Sequence, residues 1–465
     1  MVDSADDRHF LEGSLKLSSS LTALVDGRLP ATFEGLKSHV NADWIESALT
    51  AEGTAKLRRR KLPAEQVVWL VIGMALYRDL PIEDVVHRLD LVMPEGNGKP
   101  GRVSKGALPP ARHRIGADPL ERLFAQVSSS WGMESAQRHR WRGLKVFGGD
   151  GTTLRVPDSA ANRQAFGLPK GKSRTASYPQ VRCAALMVLG SHVLYDFAFG
   201  SYTVAEQTLM GPLIDRLPDR SLIILDRAYV DYQRLYRLQR AGRGRHWLIR
   251  LRKGLHWRVI QRLGPGDSLV EIRFSPPTRK AHPEWPETFV ARLIQSKRPG
   301  FRPRTILTSL VDPKAYPAQE VSGLYEQRWE LELGYDEMKT HTPERFETLR
   351  SETPEGIRQE VWGIAIAYNL VRREMEAVAQ AMKVSPQRIS YRSTLMFVRD
   401  LFLWAPLNTP GRLPWRMKRV HEDIRRLVLP PRRTERSYPR QVKIVWSHYP
   451  RNNGHPNAPT KNALN

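Results

Sequence analysis

The sequence predicts an α/β fold: a helical N-terminal domain, a core of mixed strands and helices, and a β-rich insertion that splits that core. Three observations predict it. Residues 1–135 carry helix-start signals and helical periodicity, apolar strand runs begin near residue 144, and residues 245–315 alternate in polarity at strand spacing. The expected boundaries are 1–135 for the helical domain, 136–240 for the first part of the core and 241–316 for the insertion. Residues 317–405 form the second, helical part of the core, and 406–465 a basic tail.

In the N-terminal part, Leu62-Pro63-Ala-Glu-Gln opens a helix with proline at its first position. That helix runs to about Arg78, and Pro81 starts another. Its apolar run, Val67–Tyr77, falls well short of the roughly 20 residues that span a bilayer, so it reads as a buried helix. A Gly/Pro/Lys-rich connector, Pro94–Arg102, follows. Ser104–Gly116 reads as the end of a helix-turn-helix with Arg112 and Arg114 facing DNA, or as a surface helix with two incidental arginines. Lys56–Lys61 is a basic cluster suited to phosphate.

Leu144–Asp150 is a short strand ending in glycines and an aspartate. Two strands, Val181–Leu189 and Val193–Phe199, pair around Gly190-Ser-His. A helix follows near Glu206–Ile214. Ser221–Asp226 is a continuous apolar strand, of the kind buried on both faces, and again ends in an aspartate. A helix is expected from Tyr232 to Arg240. The insertion holds five alternating runs, beginning at His246, Trp257, Leu269, Thr288 and Arg304. Helices are expected from Pro317 through Lys339, over Pro354–Met382 and over Pro386–Leu403. From Gly411 to Asn465 the chain carries thirteen Lys/Arg against three Asp/Glu and reads as disordered.

Charge narrows the function. Lys+Arg 73 against Asp+Glu 48 gives +25, which points to a polyanionic partner, most simply nucleic acid, over a merely solvated basic surface. Cys183 is the single cysteine, so no disulfide forms within the chain and a cysteine-ligated zinc is excluded. The start, Met1–Asp7, is acidic and unlike a signal peptide. A cytoplasmic protein without a membrane partner is expected.

The chemistry rests on Tyr325, Arg328, Glu332 and Lys339, spaced Y-x2-R-x3-E-x6-K. At about 100° per residue the last three fall at about −60°, −20° and −40° from Tyr325, one narrow helical stripe. A carboxylate flanked by Arg, Lys and Tyr suits a metal ion beside a phosphate. Asp150 and Asp226, at the ends of core strands, are the carboxylates for Glu332 to join. Hard oxygens suit two Mg²⁺, with Mn²⁺ as substitute, about 3.5–4 Å apart. Taken singly, each acid has a plainer use: Asp150 in a turn, Asp226 as a helix cap, Glu332 as a solvated residue. Asp336, about 40° from Glu332, is the rival third ligand. Glu330 and Glu337 face elsewhere.

The motifs resemble those of the DDE transposases of the insertion-sequence-four family. Gly149-Asp150-Gly-Thr-Thr-Leu-Arg-Val-Pro157-Asp158 with Asn162 and Phe166-Gly167 resembles the first signature, and Leu225-Asp226-Arg-Ala-Tyr229 the second. The stripe matches the third, YREK, throughout. Arg227-Ala228 stands where many relatives have glycine before the tyrosine. Leu57–Phe124 resembles the family's helical N-terminal domain, and the likeness spans roughly residues 20–450.

The resemblance implies an RNase H-like core with a β-rich domain in the 105 residues between Asp226 and Glu332. It implies metal-dependent cleavage at terminal inverted repeats and joining of the freed 3′-hydroxyls to target DNA by a dimer on double-stranded DNA. Tyr325, Arg328 and Lys339 would then contact phosphates, and Trp257 or Trp285 would stack on a flipped base. Two other readings are a non-catalytic DNA-binding regulator and another RNase H-like nuclease. The complete acidic set argues against the first, and the large insertion against the second.

Overall fold

A computed structural model describes residues 42–51, 62–89, 91, 103–169, 178–251, 255–296, 303–341, 348–404 and 428–430. The Lys56–Lys61 cluster, the Pro94–Arg102 connector and nearly all of the basic tail lie outside these residues. The chain begins with helices α1 (Ala42–Ala51), α2 (Ala64–Leu76), α3 (Ile82–Arg88), α4 (Leu108–Ile115), α5 (Asp118–Val127) and α6 (Met133–Arg138). Strands β1 (Arg140–Trp141) and β2 (Leu144–Arg155), α7 (Ala160–Phe166), β3 (Gln180–Val188), β4 (Leu194–Ser201) and α8 (Glu206–Asp215) follow. Next come β5 (Ser221–Leu225), α9 (Tyr232–Ala241), β6 (Arg245–Arg250), β7 (Trp257–Gly264), β8 (Asp267–Arg273), α10 (Pro276–Ala281), β9 (Thr288–Ser296) and β10 (Arg304–Thr308). Helices α11 (Ala318–Glu326), α12 (Trp329–Asp336), α13 (Pro354–Met382) and α14 (Tyr391–Trp404) complete the fold.

The strands form one sheet, in the order β4-β3-β2-β5-β6-β10-β9-β8-β7, with β1 paired to β2. β2, β3 and β4 are an antiparallel meander. β5 and β6 add to β2 in parallel. All five residues of β5 are buried, as a strand covered on both faces requires. Burial alternates between two cores: Leu222 and Ile224 face one, Ile223 and Leu225 the other. The first core also takes in the N-terminal helices and α13; the second takes in α8, α9 and the inserted strands.

Two readings from sequence change. The alternation at His246 assigns that run to the insertion, but Trp247, Leu248 and Ile249 are buried in succession and β6 pairs in parallel with β5. The inserted strands are β7–β10, and they continue the core sheet through β10–β6 pairing. The helix expected from Pro317 through Lys339 is broken. Bonds from Gln327 N to Leu324 O, Arg328 N to Tyr325 O and Leu331 N to Arg328 O, each 3.1 Å, tighten the chain to a 3₁₀ turn. A π-helical turn, Glu337–His341, then follows α12. Uniform 100° spacing therefore does not carry from Tyr325 to Lys339.

The helical N-terminal part is tied to α13 by buried charge. Arg78 Nη1 donates to Glu360 Oε2 at 2.6 Å with both side chains almost fully buried. Ser351 N (2.8 Å) and Arg350 N (3.0 Å) donate to the same carboxylate. Burial works against its charge, but Arg78, Arg112 and these donors prevail and hold the Glu360 pKa below the ordinary range. Arg350 Nη1 reaches back to Leu80 O at 2.8 Å. Among the described residues, no helix is long and apolar enough to cross a membrane.

Glu360→Gln leaves Arg78 without its buried counter-charge and is expected to destabilise the chain by about 3–5 kcal/mol. Chemical denaturation of the purified variant checks it; an unchanged midpoint would contradict the role given to this carboxylate.

Candidate active site

The site forms where β2 runs past the end of β5. The two strands pair in register up to Gly149 and Leu225, so Asp150 and Asp226 are the next residues along the two neighbouring chains. Helix α12 crosses β2 here. Gly148 permits it: a Cβ there would collide with the Leu331 side chain. Tyr335, one turn further along α12, donates its hydroxyl to the Asp150 carbonyl.

Glu332 and Asp150 meet through Arg328. Its Nη2 lies 2.9 Å from Glu332 Oε1, and its Nη1 lies 3.5 Å from Asp150 Oδ2. Burial opposes the Arg328 charge, but Glu332, Tyr325, Asp226 and Asp150 outweigh it and raise the pKa. Asp150 is 21 % exposed, and burial pushes its carboxyl up to about 6. Gly151 N–H and Arg328 oppose that rise, while Glu206 and Asp226 add to it. Tyr325 is buried, and its pKa is pushed up to about 12 by burial; Arg328 and Asp226 both act on it. The far side of α12 is anchored elsewhere: Glu330 Oε2 lies 3.1 Å from His192 Nε2, and Glu337 pairs with Arg372. Asp336 is exposed.

The remaining residues singled out in sequence occupy different settings. Lys339 stands in the π turn, where its charge acts on the buried Cys183 thiol of β3. Arg112 is a correction. It is only 8 % exposed, and its guanidinium donates to Gln359 Oε1 (3.1 Å), Ser351 Oγ (3.0 Å) and Gly356 O (3.1 Å). It shares a stripe with Leu108 and Ile115, so α4 turns it onto α13 and away from solvent. Arg114 on the same helix is half-buried. Trp285 packs among Tyr236, Phe274 and His282, with ring centroids 4.9, 5.5 and 4.0 Å away. Trp257 is 39 % exposed at the start of the outermost strand, β7.

One acidic group went unnoticed in the sequence. Glu206, in the first turn of α8, lies beside Asp150 from the other face of the sheet, and Tyr229 donates its hydroxyl to it. An acid in a first helical turn complements the helix dipole, so nothing in the sequence set this one apart.

Residues 141–370, which contain all three carboxylates, match the family profile described as Transposase DDE domain; residues 30–125 match Insertion element 4 transposase N-terminal. Over 416 residues the chain is 36% identical to the transposase InsG for insertion sequence element IS4 of Escherichia coli (strain K12), covering 89% of this chain and 93% of that one. The chain belongs to the IS4 family of DDE transposases. A second relative of this transposase, the putative transposase InsZ of the same organism, is 33% identical over 233 residues, half of this chain and 76% of its own. Among solved structures, a piggyBac transposase synaptic complex with hairpin DNA overlaps 87% of this chain and 86% of its own at 12% identity and a TM-score of 0.40. Family membership bears out the α/β reading, the helical N-terminal region and the transposase function.

Among the described residues, no three His, Cys, Asp or Glu side chains stand close enough together to hold a metal ion as placed. The donor chemistry nevertheless fits a hard divalent cation. Asp150 and Glu332 both meet Arg328, and Asp226, which follows the neighbouring strand, adds its charge to the field at that guanidinium.

Asp150 carries a cost that appears in stability. Its pKa in the fold, about 6, exceeds the ordinary 3.8. Its protonated form therefore contributes stability fully below about pH 4, and that contribution is lost as the pH rises through about 6. In metal-free protein, Asp150→Asn is expected to be more stable than wild type by about 1–3 kcal/mol at pH 8 and to lose that advantage near pH 4. Thermal melts across this range in chelator check it.

Proposed function

We propose that this transposase cuts the terminal inverted repeats of its element and joins the freed 3′-hydroxyls to target DNA, with Asp150, Asp226 and Glu332 holding two Mg²⁺ or, in their place, Mn²⁺. The observation that carries the reading is the convergence of Asp150 and Glu332 on Arg328, beside Asp226 on the neighbouring strand. When bound, the ions supply the charge that activates a water or 3′-hydroxyl and stabilises the leaving oxygen.

The chain's own residues do the rest. Gly148 and Leu331 seat α12 so that Glu332 faces the strand ends. Arg328, poised between two carboxylates, is suited to turn to a DNA phosphate, where its fork makes charge-assisted bonds. Tyr325 supports it from α11, and Lys339 is the further phosphate contact of the motif. Of the two tryptophans, the exposed Trp257 suits stacking on an unpaired base; Trp285 is engaged in its aromatic cluster. The +25 charge brings double-stranded DNA to the site, in the cytoplasm, and holding two ends together calls for a homodimer on DNA.

Asp150→Ala and Glu332→Ala are each expected to retain binding to element-end DNA and to lose strand cleavage on the order of 10³-fold or more, since several kcal/mol of charge stabilisation go. Asp336→Ala should cut normally. Gel-shift and cleavage assays on the same preparations decide it: wild-type cleavage by either of the first two would end the assignment.

A further inference from the structure

Beyond Asp150 and Asp226, a carboxylate outside the acidic triad lies over Gly151 of β2. Helix α8 begins there, on the face of the sheet opposite α12, and its first turn reaches the strand ends at two points. Gln207 Nε2 donates to Ala228 O at 3.2 Å, and the Glu206 carboxylate accepts from the Tyr229 hydroxyl. The chain makes room for that carboxylate: a Cβ at Gly151 would collide with it. Glu206 is half-buried, and its charge is felt at both Asp150 and Tyr335.

The choice of a carboxylate needs a reason. A glutamine would accept the Tyr229 hydrogen bond equally well and carry no charge. Tyr229 is buried, with its pKa pushed well up, so it is a neutral donor and does not balance the Glu206 charge. Glu206 therefore adds like-charge repulsion to a place that already holds Asp150 and Asp226, a cost that hydrogen bonding alone does not explain. A cation bound among these groups does explain it.

We propose that Glu206 is a fourth carboxylate of the site, facing the divalent cation that Asp150 and Asp226 hold, with Tyr229 fixing its orientation from behind. This rests on the metal-site reading above and adds a ligand from α8, directly or through a metal-bound water. Tyr229 is then a positioning residue, acting through Glu206.

The test uses the full chain stripped of metal with chelator, in four forms: wild type, Glu206→Gln, Tyr229→Phe and Asp150→Asn. Melting without metal comes first. Glu206→Gln is expected to melt at or above the wild-type temperature, because it removes repulsion and keeps the acceptor. A lower melting temperature would make Glu206 a structural residue and overturn the proposal. Next, Mn²⁺ is titrated and the free ion followed by electron paramagnetic resonance, and the Mg²⁺ concentration for half-maximal cleavage of element-end DNA is measured. Glu206→Gln should weaken Mn²⁺ binding and raise the half-maximal Mg²⁺ at least about tenfold, with Tyr229→Phe shifting both less. If Glu206→Gln matches wild type in both while Asp150→Asn does not, Glu206 has no part in metal binding and the triad stands. If Asp150→Asn also matches wild type, the metal-site reading itself fails.

Discussion

The parallel pairing of β2 with β5 is the constraint on which the rest of this molecule depends. It places two aspartates side by side at strand ends without any side chain having to reach for the other. Parallel pairing requires a long crossover, and here β3, β4 and α8 supply it, so the segment that closes the connection also delivers Glu206 to the same place. The remaining acid arrives on α12, whose distance from β2 is set by the missing side chain at Gly148. The arrangement concentrates negative charge, and without metal the chain partly balances it with Arg328 and partly accepts a carboxyl on Asp150 that ionises reluctantly.

The helical N-terminal part and the catalytic core are not separate bodies joined by a linker. They share one hydrophobic core across α2, α13 and the sheet. Glu360 draws Arg78, Arg112 and the backbone of Arg350 and Ser351 onto a single buried carboxylate. Such a cluster adds little net stability compared with apolar packing, but breaking it is costly, which gives it value in fixing how the two parts meet.

Much of this was legible in the sequence. Asp150 and Asp226 ended apolar runs, and Glu332 stood in a four-position pattern, so their types and spacing carried the reading. Strand periodicity gave the meander and the insertion because solvent and core alternate along those strands. What stayed hidden depended on tertiary context. The boundary between core and insertion was misplaced at β6, since a strand's partner is not written in its own residues. A 3₁₀ turn uses the same residues as an α-helix, so the break at Gln327–Arg328 left no local mark. Arg112 did leave one: its place on a stripe with Leu108 and Ile115 marks a buried face despite its charge.

One consequence follows from the single sheet. The inserted strands are continuous with β6 through the main-chain hydrogen bonds of the β10–β6 ladder. A load applied at β7 passes along successive ladders to β5 and β2, the strands that bear the aspartates. Large rigid-body swings of the insertion against the active site would have to tear a ladder. The sheet therefore serves as a stiff frame from β7 to the strands that carry the aspartates.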